Sequence, residues 1–220
     1  MDEAVRQSLP IALGVMVSPL PIAAVVLMLV SGNARANALS FLLAWFVSVA
    51  TVVLVVALGA GSADPDAADA EGTSWVRLGL AAGALLLAFR YWRQRPRPDE
   101  EPVTPKWMAA VDSFGILHAA GLAALLAAVN PKNLLLVIAA GARIGTIASG
   151  DVAVSVGAAA VFALVGSLGV CVPVALYLGA PRTADSILEK LKRWLIRYNA
   201  TILCVVFLII AAALLRDGLG

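Results

Sequence analysis

The sequence predicts an all-α, polytopic membrane protein: six transmembrane helices forming two inverted three-helix repeats, with both termini outside. Three observations carry this reading. Of 220 residues, 61% are hydrophobic and only 14% charged, with a mean hydropathy of +0.93, whereas a soluble domain carries about a quarter charged residues. The apolar residues gather into six runs, most near the roughly 20 residues that a bilayer crossing needs. The first and fourth runs are each interrupted by proline beside small polar residues.

The first run is Leu9–Ser31. The segment before it has no clustered basic region, and the run exceeds a signal-peptide core, so a retained span is expected. It contains Ser18-Pro19-Leu20-Pro21. The second run is Ala38–Ala60, and an acidic Ala- and Gly-containing loop, Gly61–Trp75, follows it. The third, Val76–Trp92, is short and ends in Arg90, Tyr91 and Trp92, an interfacial anchor. Residues 1–92 form the first repeat, 93–112 a charged, proline-rich linker, and 113–220 the second repeat. The fourth run, Phe114–Ala140, contains Asn130-Pro131-Lys132-Asn133. In the fifth, Val152–Gly179, Gly157, Gly166, Gly169 and Pro173 permit either close packing or unwinding, and Pro173 is a candidate second gate. Residues 185–198 place Ile187, Leu188, Leu191, Trp194, Leu195 and Tyr198 on one helical face with charges on the other, the pattern of a helix lying on a membrane surface. The sixth run is Ala200–Leu215.

Orientation follows from the cations. Arg35, the Arg90–Lys106 cluster and the Arg182–Arg197 segment put eleven on one side, while Arg6, Arg77, Arg143 and Arg216 put four on the other. The cation-rich loops, after the first, third and fifth spans, are expected to be cytoplasmic.

Lys132 is the remaining cation, and it lies within a span. A lysine at that depth costs roughly 2.5–3.5 kcal/mol on insertion scales, and the proline beside it frees backbone groups that lipid cannot satisfy. Lys132 lies about 12 Å from the outer end of a straight helix, beyond the roughly 6 Å reach of its stem. Snorkelling is one reading. The other is a site: after the break a new half-helix begins, its N–H groups positive, and an ammonium there favours a phosphate, sulfate or carboxylate. Asn130, Asn133 and, across the repeat, Ser18 would complete it. Pro19, Pro21 and Pro131 are the candidate helix breaks, although proline in a membrane helix often only bends it. Interrupted helices at corresponding places in two inverted halves point to a transporter's central site.

Acidic partners for Lys132 are scarce. Asp112, at the start of the fourth run, lies about 30 Å away along a straight helix. His118, the single histidine, is a candidate proton carrier together with Asp112, or a structural residue near an interface. Cys171 and Cys204 have no CxxC spacing and read as small apolar side chains. There is no acid pair, metal-ligand cluster, serine–histidine arrangement or GxxxxGK[ST] loop, so no enzyme, cofactor or nucleic-acid partner is expected.

The Asn130-Pro131-Lys132-Asn133 run, mirrored by Ser18-Pro19-Leu20-Pro21 in a six-span chain with a charged central loop and an amphipathic segment before the last span, resembles the LysE superfamily of exporters. Within it, the chain is most similar to the Gap/Sap group of glycolipid- and sulfolipid-addressing proteins. Amino-acid exporters of that superfamily usually show Gly-Pro in span one, where Ser18-Pro19 stands here. The resemblance implies export or flipping of an amphipathic, anionic glycolipid-type substrate across a bacterial plasma membrane by alternating access, with Lys132 on the head group. A small-solute exporter and a membrane adaptor of a lipid-export machine are the competing readings. Membrane lipids are expected partners, and the reading admits a homo-oligomer or a lipid-synthesis or export partner.

Overall fold

The computed structural model of the chain describes residues 1–61, 70–95 and 110–219, and among them every regular element except one 3₁₀ turn is an α-helix. These are α1 (Asp2–Met16), α2 (Pro19–Leu29), α3 (Ala34–Gly61), α4 (Ala70–Arg93), the 3₁₀ turn Val111–Ser113, α5 (Ile116–Ala128), α6 (Pro131–Ala148), α7 (Val152–Gly179) and α8 (Pro181–Leu219). Most of the acidic loop and of the 93–112 linker lies outside the described residues.

Both proline motifs break their helices. The axes of α1 and α2 meet at 53°, and those of α5 and α6 at 65°. The backbone cause is shared. A residue preceding proline is pushed out of the helical region towards extended geometry, and Ser18 (ψ 108°) and Asn130 (ψ 114°) both adopt it. Proline then occupies the first position of the next helix, where a missing N–H costs nothing.

Proline alone does not suffice. Pro10 lies inside α1, and α7 runs through Pro173, so the helix break expected at Pro173 is absent. The buried ring of Pro173 is held within a continuous helix. The amphipathic segment also differs from expectation: residues 185–198 and the sixth run belong to one 39-residue helix, α8. Its expected apolar face is divided, with Leu188 and Leu195 buried and Ile187, Trp194 and Tyr198 exposed.

By length and hydropathy, α3 and α7 can each cross a membrane, and each bent pair, α1–α2 and α5–α6, passes the same test jointly. The described residues therefore hold two to four candidate spans. Ala200–Ile209 of α8 is a shorter apolar stretch.

The chain divides into two compact units, Met1–Ala63 with Pro105–Lys192, and Asp64–Thr104 with Arg193–Gly220. In the first, α3 packs along α5, α6 and α7, while α1 packs on α6 and α7. A stripe of Phe41, Trp45, Val49, Val53 and Ala57 is wholly buried on α3, its spacing of four set by the helical period. Glycines let the backbones meet. A Cβ on Gly141 would stand 2.7 Å from the Val53 carbonyl, one on Gly145 would strike the Ala57 carbonyl, and one on Gly169 of α7 the Met16 carbonyl. Gly141 and Gly145 form a GxxxG pair, which permits close approach where no hydrophobic force drives helices together. In the second unit, Tyr91 of α4 stacks on Phe207 of α8 with ring centroids 5.8 Å apart, and Ala84 packs with Ala211.

Gly145→Ala should therefore destabilise the protein by about 1–3 kcal/mol, the usual cost of overpacking. Gly121→Ala, where a Cβ meets nothing within 4 Å, should be neutral or slightly stabilising. Unfolding in detergent micelles measures both, and equal stability of the two variants would remove the close-approach argument.

Candidate functional site at the two helix breaks

The α1–α2 break leaves a defined deficit. The carbonyl of Val17 would ordinarily receive the N–H of residue 21, which is Pro21 and has none. Proline at position 19 deprives the Val15 carbonyl in the same way. The end of α1 therefore presents unserved acceptors, and its helix dipole makes that end negative.

Lys132 serves this end. Its Nζ donates to the Gly14 carbonyl at 2.7 Å, to the Val17 carbonyl at 2.9 Å and to Ser18 Oγ at 3.0 Å. An ammonium has three protons, and each has a protein acceptor. Lys132 sits in the first turn of α6, a positive helix end, and its side chain crosses to the negative end of α1. It thus neither snorkels along its own helix nor offers a free cation. Among the described residues no carboxylate pairs with it; the ion pair recorded there, Arg6–Glu3, lies on the first turn of α1.

The surrounding polar groups complete the junction. Ser18, 1% exposed, donates its hydroxyl proton to Asn133 Oδ1 at 2.6 Å. Asn130 caps α6, its Oδ1 accepting from the Lys132 backbone N–H at 3.2 Å, so the expected bare helix end carries a cap. Ser18 accepts from Lys132 and donates to Asn133, the reverse of the polarity that a lysine-activated serine nucleophile requires.

The structure thus brings Ser18, Lys132, Asn133 and, through its cap, Asn130 together, with Pro19, Pro21 and Pro131 setting the breaks. Pro173 lies on α7, buried, one turn beyond the Gly169 that meets the end of α1. His118 is not in this cluster: it stands exposed in the first turn of α5, its ring 5.7 Å from that of Phe114. Asp112 lies in the 3₁₀ turn before α5.

Two polar residues not singled out from the sequence, Trp45 and Ser167, lie near the depth of Asn133. Asn133 is fully buried and its Nδ2 has no hydrogen-bond partner; the same holds for Trp45 Nε1 and Ser167 Oγ. Gly141 meets Val53 and Gly145 meets Ala57, so α3 and α6 run parallel in register. Stepping back eight residues on each, about 12 Å, puts Trp45 level with Asn133. Ser167 stands between Gly166, which meets Val15, and Gly169, which meets the Met16 carbonyl, beside the broken end of α1. Trp45 carried one legible signal: tryptophan favours membrane interfaces, and this one is mid-span.

Two broken helix pairs joined by a lysine define a class, the all-helical proteins with candidate membrane spans and a polar junction at paired helix breaks. Residues 9–220 match the sequence profile of the family described as Sap, sulfolipid-1-addressing protein, and the chain belongs to that family. No curated protein and no solved structure matches the chain.

Replacing Lys132 with Met should cost about 1.5–3 kcal/mol of stability, the worth of hydrogen bonds to a charged group. Coupling to Ser18→Ala in a double-mutant cycle should fall at about 0.5–3 kcal/mol. Additive losses in detergent unfolding would show that the Lys132–Ser18 contact carries no energy.

Proposed function

We propose that this protein exports or flips an amphipathic, anionic lipid-type substrate, glycolipid in character, across the bacterial plasma membrane. It does so by alternating access between two inverted three-helix halves. One observation carries the reading: the ammonium of α6 in the second half holds the broken end of α1 in the first. Such a bond links the two breaks about which the halves would move.

The packing pattern supports the inverted repeat. The broken span α1–α2 lies against α7, the unbroken second span of the other half, and α5–α6 lies against α3 in the corresponding way. The third span of each half, α4 and the later part of α8, pairs with its counterpart through Tyr91 and Phe207. Counted so, the chain has six spans, with both termini outside by the cation distribution. Membership of a sulfolipid-1-addressing family supports lipid as the cargo.

In this cycle Lys132 is shared. In the state described here it is bonded to the Gly14 and Val17 carbonyls. A sulfate, phosphate or carboxylate on the head group competes for the ammonium, freeing the end of α1 to move. The exchange replaces hydrogen bonds with others of similar strength, so the substrate can also leave. Proton coupling, where it operates, falls to His118 and Asp112 at the start of the second half. The protein is not an enzyme in this reading and needs no cofactor.

Reconstitution in vesicles with a labelled anionic glycolipid tests the proposal. Wild-type protein should speed passage between leaflets, and Lys132→Met should slow it at least about tenfold, a barrier change of roughly 1.4 kcal/mol. Wild-type passage only in the presence of a second protein would favour the adaptor reading, and equal rates for wild type and variant would sink the role of Lys132.

A further inference from the structure

We infer that the cleft between the start of α3 and the start of α5 is a second binding site, one that takes the hydroxylated ring of a lipid-linked sugar. Its volume is about 430 Å³, and Asn33, Asn37, Gly115, Ile116, Leu117 and His118 line it. Along α5 it lies about 20 Å from the Lys132 junction.

The polar inventory of the cleft is unusual. Asn37 is 1% exposed; its Nδ2 donates to the Phe114 carbonyl at 2.7 Å, and its Oδ1 has no hydrogen-bond partner. A buried amide oxygen without a donor is costly to keep, and it asks for a donating ligand. The start of α5 asks for the opposite. Gly115 is its N-cap and supplies no side-chain cap, and the first intrahelical bond is made by the Ala119 N–H to the Gly115 carbonyl. The N–H groups of Ile116, Leu117 and His118 thus have no acceptor within the helix.

A ligand for this cleft must donate and accept within one small ring. A sugar does so, because each hydroxyl is both donor and acceptor. A sulfate or a fully ionised phosphate would satisfy the α5 end but would set its oxygens against Asn37 Oδ1. Two lining side chains indicate where the rest of the ligand lies: Ile116 is 56% and Leu117 84% exposed. Apolar side chains exposed on a membrane helix suit an acyl chain running beside the ring, which commits the ligand to a glycolipid rather than a free sugar.

The site is separate from the Lys132 junction, and binding is read without transport, so either reading can fail alone. Native mass spectrometry of the full chain released from detergent would compare glucosyl-diacylglycerol, diacylglycerol and phosphatidylglycerol at equal concentration. The glucosyl lipid should be retained in preference to both. Asn37→Ala should lower its retention about tenfold. Because that change also removes the bond to Phe114, a second variant guards against misfolding. A Cβ at Gly115 meets nothing within 4 Å, and a serine there can cap α5 with its hydroxyl. Gly115→Ser should therefore keep or raise the melting temperature while lowering glucosyl-lipid retention several-fold. Unchanged retention in this well-folded variant, equal retention of all three lipids, or displacement by free glucose at equal concentration would overturn the assignment.

Discussion

The broken end of α1 is the constraint on which the rest of this structure turns. Pro19 and Pro21 leave backbone carbonyls that their own helix cannot serve, and in hydrocarbon an unserved polar group costs several kcal/mol. Lys132 carries the complementary liability, an ammonium within a span. Placed together, they offset one another at the Val17 carbonyl orphaned by Pro21, which the Nζ meets along with the Gly14 carbonyl and Ser18 Oγ. The same contact fixes where α1 ends beside α7, and that placement demands Gly169 opposite the Met16 carbonyl, since any side chain there would push the bonded end away.

The two breaks share a backbone solution and differ in chemistry. Ser18 and Asn130 are both extended before proline, yet Asn130 caps its own helix while Ser18 turns its hydroxyl to Asn133 at the other break. The α5–α6 break contributes the cation and the amides; the α1–α2 break contributes carbonyls and one hydroxyl. The junction is therefore lopsided. That division suits a contact meant to open. Bonds to backbone carbonyls lack the strong Coulomb attraction of a lysine–carboxylate pair, and in low dielectric such a pair would be hard to part.

The broken spans were legible because proline next to a polar residue inside an apolar run is a local signal, and Lys132 stood out because charge in a span is rare. Its partner was not legible. Backbone carbonyls have no sequence signature, and a search for an acid could only reach Asp112, far along the helix. Trp45 and Ser167 needed the register of α3 on α6 and of α7 on α1, which glycine contacts define and which no single sequence states. The continuity of α8 was readable in principle: Tyr198-Asn199-Ala200-Thr201 contains no proline or glycine to stop a helix, but the change from charged to apolar composition suggested a boundary. At Pro173 the same residue type that breaks α1 and α5 does not break α7. The residue before it differs: serine or asparagine, each bonded within the junction, at the breaks, and valine where the helix continues.

In the proposed cycle, the balance of satisfied and unsatisfied groups is what makes this junction more than a scaffold. A structural polar cluster should leave no buried atom unpaired, since a half-satisfied network is worse than an apolar core. Here the charge is fully satisfied, while neutral donors remain over: Asn133 Nδ2 and Trp45 Nε1, with Ser167 Oγ nearby. The ammonium could not be left unpaired in hydrocarbon without a large cost, whereas neutral N–H and O–H groups are held unpaired at about 1–3 kcal/mol each. In the proposed cycle this ordering is useful. The charged group stays bonded to protein until an anion arrives, and the neutral donors, already in place, reward an oxygen-rich head group but not a bare hydrocarbon chain. An arriving lipid is then tested twice, first for charge and then for oxygen acceptors, before the end of α1 is released.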